Sequence, residues 1–140
     1  LSQKAGQLRT DLVSLKAAVN HLGYQAGNYG TASLNALLIS SGKMPTTLRT
    51  AGAATINHQF DGTVTVTGAN TRFHVALTNV PKDACISLVS GDMGWDWVGT
   101  AVPTAAQMIT PGVANKPPLA PNRVEALCAA NTQTLYFAGR

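Results

Sequence analysis

The sequence predicts an α+β domain in which a long N-terminal amphipathic helix packs on an antiparallel β-sheet. Three observations carry that prediction. Leu1, Ala5, Leu8, Leu12, Leu15, Val19 and Leu22 recur at alternating steps of four and three, the apolar stripe of one helical face. Thr63 to Thr67 and Arg72 to Thr78 alternate apolar and polar residues, the pattern of half-buried antiparallel strands. Helical and strand-like segments then follow one another without regular βαβ alternation, which argues against a parallel sheet.

The elements follow in order. Gly23 closes the first helix, and Tyr24 to Gly30, rich in Gly, Asn and Tyr, reads as a loop. Thr31 or Ser33 is expected to cap a short helix that runs to Ser41, with Leu34, Leu37 and Leu38 on its apolar face and Gly42 as its stop. Met44 to Thr50 leads into strands. Ala54 to Phe60 and Thr63 to Thr67, around an Asp61-Gly62 turn, read as a β-hairpin. Gly68, Ala69 and Asn70 form a second turn, and Arg72 to Thr78 a third strand. Asn79 is expected to cap the next helix, with Pro81 in its first turn and Ala84, Cys85, Leu88 and Val89 facing inward. Asp92 to Val102, with Trp95 and Trp97, is expected to include a short strand; Pro103 to Pro121 reads as irregular. Asn122 is expected to cap a last helix carrying Val124, Leu127 and Cys128, and Thr132 to Ala138 closes as a strand.

At 140 residues the chain fits one domain, residues 1–140, large enough to bury a real core. Its stripe is in full register at Leu1 with no capping residue before it. The native helix is therefore expected to extend further upstream, making this a soluble piece of a longer protein. Charged residues are only 11% and include a single glutamate, Glu125, so Thr, Ser, Asn, Gln and Gly must supply the polar surface. That profile fits an exported surface protein better than a cytosolic enzyme. The net charge is +4, yet Lys4, Arg9, Lys16, Lys43, Arg49, Arg72, Lys82, Lys116, Arg123 and Arg140 are spread along the chain. No basic run is interleaved with aromatics, so no specific nucleic-acid partner is expected.

Cys85 and Cys128 match no zinc or redox spacing. They read as one structural disulfide formed outside the cytoplasm, the alternative being two buried thiols. His21, His58 and His74 are accompanied by no hydrolase, zinc-protease or phosphate-loop motif, so the chain is not read as an enzyme, and no metal or cofactor is expected. Asp92, Trp95, Asp96 and Trp97 are the candidate surface or receptor contact. Indoles stack on sugar faces and paired carboxylates split glycosidic bonds, while the plainer alternative is a tryptophan pair covering the sheet edge. On the first helix, Leu1, Leu8, Leu12 and Leu15 are candidate assembly residues, weighed against simple packing on the domain's own core.

Together, the opening Leu1-to-Leu22 stripe, the segment Lys82-Asp83-Ala84-Cys85-Ile86-Ser87-Leu88-Val89-Ser90-Gly91 and the late Cys128 resemble the globular domain of a type IVb pilin, PilS-type. The resemblance implies a pilin fold in which residues 1–22 are the C-terminal half of the spine helix. It also implies that residues 85–128 form a disulfide-bounded D-region. It implies a structural subunit that self-assembles into an extracellular pilus after inner-membrane anchoring, leader cleavage and N-methylation, the membrane being met only through the helix upstream. Tyr24 to Ser41 and Asp92 to Pro121 would then form filament surface and subunit contacts. Partners would be identical subunits, the pilus assembly machinery and a host-cell or recipient-cell receptor, in adhesion, aggregation or conjugation. The alternatives are a minor pilin or type II secretion pseudopilin, or a secreted carbohydrate-binding domain.

Overall fold

A computed structural model describes residues 2–23, 28–45, 47–110, 112 and 115–140. Helix α1 spans Ser2–Gly23, and Ala5, Leu8, Leu12, Leu15, Ala18 and Val19 are all buried on one side of it. Leu1 and residues 24–27 lie outside the described residues. The remaining elements are α2 (Asn35–Ser41), β1 (Arg49–Ala51), β2 (Thr55–Asn57), β3 (Thr63–Ala69), β4 (Arg72–Pro81), α3 (Lys82–Ser90), β5 (Trp97–Gly99), α4 (Ala105–Ile109), α5 (Pro121–Leu127) and β6 (Thr132–Gly139).

The strands form a six-stranded sheet in the order β1-β2-β3-β4-β6-β5, antiparallel throughout. The period-two pattern sets its inner face. Register places Ile56, Val64, Leu77 and Leu135 in one row, and Val66, Val75, Phe137 and Val98 in the next. These eight side chains are buried and share one apolar core with the inner side of α1 and with Ala84, Cys85, Leu88 and Val89 of α3. At about 1.5–3 kcal/mol for each large side chain, that layer is the main favourable term in folding. A third row sets Gly68 and Gly139 on either side of Phe73. With no Cβ at these positions, Tyr29 and Trp95 settle against Phe73 from two sides, ring centroids 5.0 and 5.8 Å away.

Helix starts differ from the sequence reading. Asn79 does not cap α3: it takes a positive φ of 55° and its Nδ2 donates to the Phe60 carbonyl, while Pro81 is the N-cap. The register shift between Leu77 and Val80 carries β4 on to Pro81, so the helix begins where proline ends the ladder. Asn122 does not cap α5 either. Pro121 occupies the first helical turn behind Ala120, as its fixed φ and missing N–H favour. For α2 the N-cap is Leu34, although the Asn35 amide donates to Ser33 Oγ at 3.3 Å. The segment read as irregular contains α4, closed by a capping box in which Thr104 and Gln107 exchange hydrogen bonds.

Candidate functional site

Helix α1 is the longest element, and its two sides differ in kind. Leu8, Leu12 and Leu15, candidates for subunit contact, are buried in the domain's own core. Their side chains are therefore taken up by the domain itself, and the opposite side is the one left open. There Gly6, Thr10, Val13 and Ala17, separated by four, three and four residues, are exposed, and Val13 is 46% accessible. The mid-helix cations do not serve that side. Lys16 Nζ donates to the Arg140 carbonyl at 3.3 Å and stands 5.9 Å above the Trp95 ring. The Arg9 guanidinium packs where a side chain on Gly91 would otherwise stand, at the C-terminal end of α3, a position its charge favours. Both long side chains fold back onto the head. The outward side is left small and uncharged, which permits close approach of a second helix.

Cys85 on α3 and Cys128 at the C-cap of α5 form a disulfide with Cα atoms 5.7 Å apart. Both sulfur-bearing residues are buried, and the bond pins α5 beside α3. Between the two helices runs an open groove of about 520 Å³ whose apolar walls are Ile86, Leu119, Pro121 and Val124. Lys82 and Glu125 stand on the same lining.

The Asp/Trp segment is divided by the fold. Trp95 is 1% exposed and lies against Phe73 and Phe137, on the α1 side of the sheet. Trp97, 4% exposed, is on the other side, covered by Met108 of α4 and packed beside Ala138. Its indole lies across Gly99, where any Cβ would strike the ring. Neither indole offers a face to solvent. The two indoles expected at a receptor or sugar contact are thus both covered: Trp95, ahead of β5, enters the α1-side core, whereas Trp97, on β5, lies on the outer face under Met108. Asp92 is exposed and accepts the Gly94 amide in a local turn, whereas Asp96 is paired with Arg72 at 3.7 Å. The carboxylates and indoles therefore form no common site.

The histidines are also dispersed. His21 is exposed in the last turn of α1. His58 is fully buried behind the β2–β3 turn, and burial holds its pKa below the ordinary imidazole value. His74, half-buried on the outer sheet face beside Tyr136, is shifted the same way by the same cause. Among the described residues no group of three His, Cys, Asp or Glu side chains is placed to hold a metal ion. Nor is any helix of the described residues long and apolar enough to cross a membrane.

Sequence reasoning passed over Asn35, which is buried and bonded to three backbone groups, and the cover that α4 provides. For α4 a signal was present, the Thr104-x-x-Gln107 spacing of a capping box. For Asn35 there was none, since its partners are distant in sequence.

Residues 2–139 match the profile of the PilS N-terminal family. No curated protein sequence matches the chain. Among solved structures, TcpA, a type IV pilin from Vibrio cholerae El Tor, superposes with a TM-score of 0.65, covering 99% of each chain at 20% identity. That likeness establishes the fold: a long N-terminal helix against an antiparallel sheet, with one disulfide. With the family matched over nearly its whole length, the chain belongs to the PilS N-terminal family of type IV pilins, structural subunits of pili.

Proposed function

We propose that the chain is the repeating subunit of a pilus shaft, assembling through the outward side of α1. The observation that carries this reading is the contrast between the two sides of that helix. One is consumed by the core, and the other is small and uncharged because Arg9 and Lys16 turn back onto the head. A side built for close approach, repeated on identical subunits by a rotation that does not close, generates a filament rather than a ring or dimer. The heads then stand outward. The disulfide-bounded segment Cys85 to Cys128 and the stretch to Ser41 supply the filament's exterior and its contacts between heads.

In this reading the protein works outside the cell, after anchoring in the inner membrane by an upstream continuation of α1 and handling by a pilus assembly machinery. The exposed surface then meets other filaments or a host or recipient cell, in aggregation, adhesion or conjugation. Asp92, exposed near the edge of the sheet, remains with that surface. The buried indoles do not, which removes the main support for a carbohydrate-binding domain.

A charge scan on the outward side tests the proposal. Val13→Asp and Ala17→Glu, placed in the native precursor in piliated cells, are expected to leave the head folded and disulfide-bonded while filaments vanish from electron micrographs. Wild-type-like filaments from both variants would overturn the reading.

A further inference from the structure

The β1–β2 ribbon, residues 47–58, is attached to the domain in an unusual way. Only two residue pairs, Ile56 with Val64 and Asn57 with Thr63, join it to β3. Leu48 and Ile56 are its buried apolar side chains. Side chains supply further polar ties: Thr47 Oγ1 donates to Asp11 Oδ1 of α1 and Asn35 Nδ2 donates to the Ala54 carbonyl at 3.1 Å, while within the ribbon Arg49 Nη2 donates to the His58 carbonyl at 3.1 Å. A segment with few apolar contacts and many side-chain ties is the kind that opens locally before the rest.

His58 is the innermost of these ties, with no solvent exposure. The Phe60 amide donates to its Nδ1 at 3.1 Å, so Nδ1 must be the bare nitrogen. Nε2 therefore carries the proton and donates it to the Thr78 carbonyl of β4 at 2.6 Å. Both ring nitrogens are satisfied in the neutral form only. Adding a proton turns Nδ1 into a donor facing the Phe60 N–H, and one hydrogen bond becomes a repulsion. The ring cannot turn aside easily, because Gly62 packs directly against Nε2 and the Thr78 carbonyl.

The groups facing His58 from the elements around it do not cancel this. Asp61 and Arg49 pair with each other at 2.6 Å on the exposed side of the turn, one favouring and one opposing an imidazolium. Lys4 of α1 acts on Asp61 from beyond it, and β4 presents the Thr78 carbonyl and, through Asn79, an amide bonded to the Phe60 carbonyl. Burial outweighs them and keeps the ring neutral.

We propose that His58 is a proton-operated latch: neutral, it holds the β1–β2 ribbon and the 58–62 turn on the sheet, and its protonation in mild acid frees that ribbon while β3, β4 and β6 stay paired. The inference stands on the turn's geometry and does not depend on the filament reading.

Amide hydrogen exchange at pH 7.5 and pH 5.0, corrected for the intrinsic rates, tests it. Protection of the Leu48–His58 amides is expected to fall at least tenfold at the lower pH, and to fall several-fold more than that of the Val75 and Phe137 amides, which follow global opening. His58→Gln, whose amide can donate to Thr78 and accept from Phe60, is expected to lose that pH response, whereas His74→Gln keeps it. Should His58→Gln not fold, the ring carbons of His58 in the unaltered protein decide, since they must titrate in step with ribbon exchange. Equal ribbon protection at both pH values, a response retained in His58→Gln, loss spread evenly over the sheet, or His58 titration out of step with the ribbon would each overturn the latch.

Discussion

Asn35 Oδ1 accepts the Val66 amide at 2.9 Å, so a side chain completes the edge of β3 where β2 has ended. Beside it the Leu34 amide donates to the Val66 carbonyl at 2.8 Å, and Asn35 Nδ2 reaches the Val64 and Ala54 carbonyls. Further along, Gly68 donates to Ala32, and Tyr29 and Gly30 exchange bonds with Asn70. The stretch from Asn28 to Asn35 thus runs along β3 as a substitute strand. Buried backbone groups left unpaired would otherwise each cost about 1–3 kcal/mol.

Replacing this side chain is therefore expected to be severe. Asn35→Leu keeps the volume but orphans the Val66 N–H and two carbonyls. The expected loss is about 2–4 kcal/mol in urea denaturation. A loss below about 0.5 kcal/mol would contradict the substitute-strand account.

Two glycines separate backbone from side-chain obstruction. A Cβ on Gly68 would overlap the Tyr29 and Gly30 carbonyls, which cannot move without peeling the substitute strand away. A Cβ on Gly91 would meet only the flexible end of Arg9. Gly68→Ala is expected to cost about 2–3 kcal/mol and Gly91→Ala below about 1 kcal/mol, by thermal melting.

Cys85 and Cys128 are 43 residues apart, so their bond removes a long loop from the unfolded ensemble. Replacing both by alanine is expected to cost about 4 kcal/mol, or roughly 10–15 °C in Tm. The α5 amides should lose exchange protection first, since the disulfide holds that helix to α3.

His58 and His74 both have pKa values held below 6.5 by burial, so the fold refuses protons that the unfolded chain accepts. Stability from this source is fully present above pH 6.5 and declines as pH falls below it. The urea midpoint is expected to be lower at pH 5.5 than at pH 7.5, with the difference reduced in His58→Gln.

Much of this was legible in the sequence where one face of an element is buried throughout. The Leu8, Leu12, Leu15 and Val19 spacing marked α1, and the alternation in Val64, Val66, Phe73, Val75 and Leu77 marked β3 and β4, because burial imposes those periods directly. Asn79 was misread as a cap because the same side chain that caps helices also tolerates the left-handed turn it adopts here. The fates of Trp95 and Trp97 were not legible. Their burial depends on Gly139, Gly99 and Met108, which meet them only after the sheet has formed. Which side of α1 faces the core followed from the stripe. That Arg9 and Lys16 turn inward did not, since Gly91 and the Arg140 carbonyl are far along the chain.

The account rests on the outward side of α1 becoming buried between subunits, and maleimide labelling reads that directly. Thr10→Cys and Val13→Cys are expected to react fully in the isolated domain and at least tenfold more slowly in intact filaments purified from cells. Equal labelling in both states would contradict the account.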